Sequence, residues 1–167
     1  VAKDSGWQCA GVELSADDCE YLRKRLKVEA YDKPLRGISL PVGAFDAVTL
    51  FHVIEHFRDP LGELKEIHRI LKDDGILLAE LPNIDALVFR MKGINWKYIN
   101  AEHVFYYNRK TAAELLKQAG FDLLYITGIS GLDWWKGLAP VKRLLHRLVT
   151  ASGIGDHLVI VAKKHGK

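Results

Sequence analysis

Five consecutive positions, His52-Val53-Ile54-Glu55-His56, put two imidazoles and a carboxylate into one short segment. As written they match H-x-x-E-H, a zinc-hydrolase pattern that requires both histidines on one helix face. The flanks argue against such a helix. The segment directly follows the apolar run Phe45 to Phe51, and Asp59-Pro60 supplies an N-cap and a first-turn proline three residues later. A strand-to-helix loop is therefore expected, with no metal. Its groups suit substrate positioning or general-base work.

Two further places carry chemistry. Glu13 ends an apolar run just before a helix, where a carboxylate can accept from both hydroxyls of a ribose or simply sit as a solvated acid favoured by the helix dipole. His103 lies in an aromatic stretch that begins at Trp96 and continues through Tyr98 to Phe105, Tyr106 and Tyr107. It can line a substrate pocket, or fix a lid to the core through a hydrogen bond. Both readings stay open at this level.

The elements that must position these groups alternate short apolar runs with amphipathic stretches, the signature of βαβ units around a parallel sheet. Strands are predicted at Cys9–Leu14, weakly at Val28–Tyr31, at Phe45–Phe51, Ile76–Leu81, Phe121–Thr127 and Leu158–Ala162. The run Phe45–Phe51 reads as buried on both faces. Helices are predicted over 16–27, with Ser15 and Asp18 as a capping box, and from Pro60 to Leu71, with Gly75 as the left-handed closing residue. A third runs from Arg109 to Ala119 between Asn108 and Gly120. An insertion from Gly128 to Asp156 holds Trp134, Trp135 and a basic amphipathic stretch around Val141 to Val149. In open α/β sheets, ligands sit beyond the carboxyl ends of the strands, which singles out Glu13, the His52–His56 segment and Pro82-Asn83.

Composition bounds the function. The 167 residues are 49% apolar and 27% charged, one domain's worth spanning 1–167. A net charge of +3, from 24 basic and 21 acidic side chains, is too small and dispersed for a nucleic-acid partner. Cys9 and Cys19 lack metal-ligand spacing and read as reduced thiols. No apolar run approaches a membrane span, so a cytoplasmic protein without membrane insertion is expected.

The run FDAVTLFHVIEHFRDP, followed by LKEIHRILKDDGILLAELPN, resembles the fourth-strand region of class I S-adenosylmethionine-dependent methyltransferases. It is most similar to the branch holding the ubiquinone-pathway O-methyltransferases and the type 11, 12 and 23 groups. GWQCAGVELS resembles their second strand, NWKYINAEHVFYYNRKTAAELLKQAGF the segment after their fifth, and GDHLVIVAKK their antiparallel last strand. The resemblance implies a Rossmann-like, doubly wound α/β fold with a mostly parallel sheet, and S-adenosylmethionine as cofactor. It gives Glu13 the ribose hydroxyls, Leu14 a contact with adenine, and Phe51 and His52 a place beside the methionine part. Glu55 and His56 then face the substrate, with Trp96 and His103 on a cover over it; His56, His103 and Glu55 are the catalytic candidates. The implied acceptor is a small-molecule or glycan-like metabolite.

The sequence departs from that family in two places. The glycine-rich turn after the family's first strand has no counterpart in these residues, so the fold is expected to be N-terminally truncated. Its first-strand position then awaits another segment, another chain in a homodimer, or residues of a longer natural protein, because an open edge is costly. The family's acid before Leu40 is replaced by Arg36, with Asp32 as the nearest substitute. The missing glycine-rich turn favours an alternative function, a non-catalytic binding or assembly module, against which the retained Glu13 and the His52–His56 segment argue. A nicotinamide-dependent reductase is a third reading, discriminated by whether the last strand runs antiparallel.

Overall fold

A computed structural model describes residues 2–129, 149–150 and 152–166. Trp134, Trp135 and nearly all of the basic stretch before Val149 lie outside the described residues. The chain divides into two compact units, Val1–Pro41 and Val42–Lys167.

The first unit is a βαβ element. Strand β1 (Ala10–Val12) and strand β2 (Glu29–Tyr31) pair in parallel, with helix α1 (Ala16–Lys24) between them. Ser15 caps the helix as expected, accepting from the Asp18 N–H at 3.3 Å. The other half of the expected box is replaced: the Ser15 N–H donates to Glu13 Oε1 at 3.1 Å, so the acid before the helix does what Asp18 was expected to do. The helix ends at Lys24, short of residue 27, because Lys27 turns into the left-handed region at φ 53°. Cys19 and Ala30 are buried, whereas Val12 and Leu14 are exposed.

The second unit holds a four-stranded sheet in the order β3-β4-β6-β5. Strand β3 (Phe45–Phe51) pairs in parallel with β4 (Leu71–Pro82). Strand β6 (His157–Lys164) runs antiparallel to both β4 and β5 (Phe121–Ile129). The antiparallel last strand is the outcome that tells against the reductase reading. On one face the cross-strand pairs Leu77–Ala162, Ala79–Ile160 and Leu81–Leu158 are all buried and form the centre of the core. Helix α2 (Pro60–Ile70) buries Leu64, Ile67 and Ile70 at helical spacing, and Asp59 caps it by accepting from the Gly62 N–H at 3.0 Å.

Two further expectations are corrected. Helix α2 ends at Ile70, and β4 begins at Leu71, so Gly75 is not its closing residue. The left-handed residue is Asp74, at φ 67°. Gly75 is needed for a different reason: a Cβ there would stand 2.8 Å from the Lys72 carbonyl oxygen. Strand β3 is not buried on both faces: Ala47, Thr49 and Phe51 are exposed and only Leu50 is buried. Among the described residues, β3 pairs only with β4 and β1 only with β2, so no described segment takes the first-strand position. Between β4 and α4 (Arg109–Gln118) a short helix, α3 (Leu87–Lys92), interrupts the stretch that the sequence left unassigned. Helix α4 carries the full capping box, Asn108 with Thr111, and Gly120 follows it at φ 90°.

Candidate active site

The segment after β3 is a loop, as its flanks require. His52 takes a left-handed backbone, φ 54°, held by its N–H donating to the Glu80 carbonyl at 2.8 Å. Only Ile54–His56 form a single 3-10 turn. One helix face shared by His52 and His56 is therefore excluded, and with it the zinc-hydrolase geometry. The sharp bend sends the two imidazoles to different partners.

His56 Nδ1 lies 3.0 Å from the Glu102 carbonyl oxygen, which fixes a proton on Nδ1 and leaves Nε2 as the basic nitrogen. Its ring meets His103 edge-on at 4.8 Å. His103 in turn stacks on Tyr98 at 6.5 Å, and its buried Nδ1 has no hydrogen-bond partner. Residues 96–107 form the strap that brings His103 here. The Val104 and Phe105 N–H groups donate to the Glu55 carbonyl, and the Ile84 N–H donates to that of Tyr107.

Glu55 is 1% exposed, and neither carboxylate oxygen makes a hydrogen bond. Oε1 faces His52 Nδ1 at 3.3 Å. The Tyr107 hydroxyl is also buried without a partner; burial, and secondarily the Glu55 charge, pushes its pKa up to about 12. Trp96 is 2% exposed and packs against Phe89 and Tyr98, so it supports the strap from beneath.

Three residues absent from the sequence-derived site belong to this cluster. Glu80, next to the end of β4, and His157, the first residue of β6, share one sheet face through the register Glu80–Val159. Glu80 Oε1 lies 2.7 Å from His157 Nδ1 and 3.7 Å from His52 Nε2. The Tyr98 hydroxyl is bonded to His157 Nε2, and its ring stacks on His52 at 5.9 Å. Burial lowers the His157 pKa, with Glu80 acting in the opposite direction. The buried Asn83 anchors the approach to β6: its Nδ2 donates to the carbonyls of Gly153 (3.1 Å) and Gly155 (2.8 Å). Pro82-Asn83 was visible in the sequence as a polar strand end, but the pairing of Glu80 with His157 across 77 positions was not.

In the first unit, Glu13 follows the carboxyl end of β1, partly exposed, with one oxygen oriented by the Ser15 N–H. Leu14 beside it is 68% exposed, and in the second unit Phe51 is 54% exposed. Within the first unit, an oriented carboxylate beside an uncovered leucine fits the chemistry of a ribose and a purine. Asp32, the candidate substitute for the missing acid, lies 3.8 Å from Arg23.

Comparison with known proteins places these features in a family. Residues 1–126 match the family model described as a methyltransferase domain. A probable S-adenosylmethionine-dependent methyltransferase of Mycolicibacterium smegmatis is 26% identical over 156 residues, covering 89% of this chain and 59% of that protein. The chain thus spans less than two thirds of that relative. Among solved structures, a possible histamine N-methyltransferase of Thermotoga maritima superposes with a TM-score of 0.71 at 22% identity, covering 98% of this chain and 75% of that one. The 1,6-didemethyltoxoflavin-N1-methyltransferase of Burkholderia thailandensis, solved with S-adenosylhomocysteine, gives 0.63 at 15% identity, covering 98% and 64%. Both structures share the fold. The chain belongs to the class I S-adenosylmethionine-dependent methyltransferases.

Proposed function

We propose that this chain transfers a methyl group from S-adenosylmethionine to a small-molecule or glycan-like acceptor received beside the strap 96–107. The observation that carries this reading is the His56–His103 pair: one imidazole is held by a backbone carbonyl with its Nε2 free, and the other lies edge-on at 4.8 Å. The cofactor supplies an electrophilic methyl group on a sulfonium. His56 Nε2 accepts the acceptor's proton as its nucleophilic atom attacks, a general-base contribution of roughly 10²- to 10⁴-fold. His103, stacked on Tyr98, orients the acceptor and passes the proton toward solvent. Glu55, being buried, faces His52 and acts on that imidazole through its charge rather than by touching the acceptor. Trp96 acts by keeping Tyr98 in place, and alignment with exclusion of water contributes the remainder.

Glu13 is assigned to the ribose hydroxyls, Leu14 to the adenine, and Phe51 and His52 to the methionine part. Calorimetric titration with S-adenosylhomocysteine tests this half of the reading. Glu13→Ala is expected to weaken binding about 10- to 100-fold, the loss of hydrogen bonds to a charged group. His56→Ala is expected to leave that affinity unchanged while lowering kcat. Absence of heat at millimolar ligand would refute methyl transfer by this chain.

A further inference from the structure

We propose that His52, Glu80 and His157 form a binding site for a divalent first-row transition-metal ion. The three ligands come from three strand ends, β3, β4 and β6, and their coordinating atoms all lie within 4.8 Å of one another. Metal–nitrogen and metal–oxygen bonds of about 2.0–2.2 Å put ligand atoms roughly 3–3.5 Å apart. The observed 2.7 Å from Glu80 to His157 and 3.7 Å from Glu80 to His52 bracket that spacing, and the two imidazole nitrogens lie within 4.8 Å of each other. Two imidazoles and one carboxylate suit zinc, iron(II) or manganese rather than calcium or magnesium.

The outer atoms make the stronger case. A metal-bound imidazole needs a partner on its second nitrogen to fix tautomer and orientation. His157 has one, the Tyr98 hydroxyl on its Nε2, and His52 Nδ1 faces Glu55 Oε1 at 3.3 Å, close enough for that carboxylate to become its partner once the ring is oriented by an ion. Glu55 is the unexplained group here, a carboxylate 1% exposed whose two oxygens make no hydrogen bond. A buried charge of this kind requires a compensating one. An ion on the far side of the His52 ring supplies it by polarising the Nδ1–H toward Glu55. His52 also holds a left-handed backbone, a cost that sites retain when the side chain's position matters.

The neighbouring group Glu55, His56 and His103 is equally compact. It is the weaker candidate, because its carboxylate is sealed from solvent and already faces His52, and His103 Nδ1 has no outer partner. In the His52 site all three ligands are partly exposed, leaving open positions for water or an acceptor oxygen. Only that last role rests on the acceptor reading given above; binding of the ion does not.

The test therefore uses neither cofactor nor acceptor. The chelator-treated chain is titrated with cobalt(II) alone, read by its visible absorption, and the cobalt is then displaced with zinc. One equivalent is expected to bind. His157→Ala and Glu80→Gln are expected to abolish the bands, and Tyr98→Phe to weaken affinity about 10- to 100-fold. His103→Ala is expected to bind like the parent, and circular dichroism confirms that each variant is folded. Absent bands at millimolar cobalt, binding that survives both Glu80→Gln and His157→Ala, or binding lost in His103→Ala alone would each overturn the assignment.

Discussion

His68 shows how one side chain couples packing to pH. It sits on α2 with its ring edge-on to Phe121 at 5.4 Å and against Gly120, where a Cβ would come 3.0 Å from Nε2. Burial, and secondarily the Lys164 charge, lowers its pKa from the ordinary value of 6.5. The folded state thus favours the neutral ring, while the unfolded chain takes up a proton as pH falls through about 6.5. Stability contributed by this residue is complete above that value and declines on acidification until the folded-state pKa is passed. Urea unfolding between pH 7.5 and pH 5, both about these values, is expected to show a falling stability that His68→Leu makes shallower. His157 titrates in the same direction and leaves a residual slope. An unchanged slope in the variant would remove His68 from the account.

At the scale of elements, the glycines around β5 and β6 are the tightest constraint. A Cβ on Gly155 would stand 2.3 Å from the Ile129 carbonyl, and one on Gly128 would stand 2.5 Å from the Gly153 oxygen. These backbones touch because no side chain separates them, and Asn83 ties the same turn to the end of β4. Gly155→Ala is expected to destabilise the chain by about 3 kcal/mol, as overpacking against rigid backbone does. It should also weaken metal binding by moving His157. Chemical denaturation and cobalt titration of that variant check the two effects separately. Local pattern made much of this layer legible. The continuous run Phe45–Phe51 became a strand with those bounds, and Asp59-Pro60 and Asn108 with Gly120 marked two helices where they occur. Glu80 and His157 were hidden. Each sits at an alternating position of an apolar strand, and only the antiparallel register brings them together. The strap was legible as an aromatic cover, but α3 was not, since it has no side-chain cap and buries no residue.

For the whole molecule, strand pairing separates what is well supported from what is not. Strands β4 and β6 have neighbours on both sides, whereas β1 and β2, three residues each, have only one another among the described residues. Isolated two-stranded pairings are marginal in water. Hydrogen exchange is expected to be slowest at Leu78, Ala79 and Ile160 and faster by orders of magnitude at Gly11, Val12 and Ala30. Equal protection would mean that a further strand covers β1. The departure from the family's glycine-rich turn foretold open edges and uncovered apolar faces, and the uncovered face of β3 is the point at which the separate reading of Phe45–Phe51 as buried on both faces fails. Among the described residues no helix is long and apolar enough to cross a membrane.

Trp96 adds a practical consequence. Its indole is enclosed, 4.9 Å from the Tyr98 ring that leans on both His52 and His103. Any guest that shifts those imidazoles must disturb the chromophore's surroundings. The fold therefore carries an intrinsic fluorescent gauge for occupancy, readable without a label.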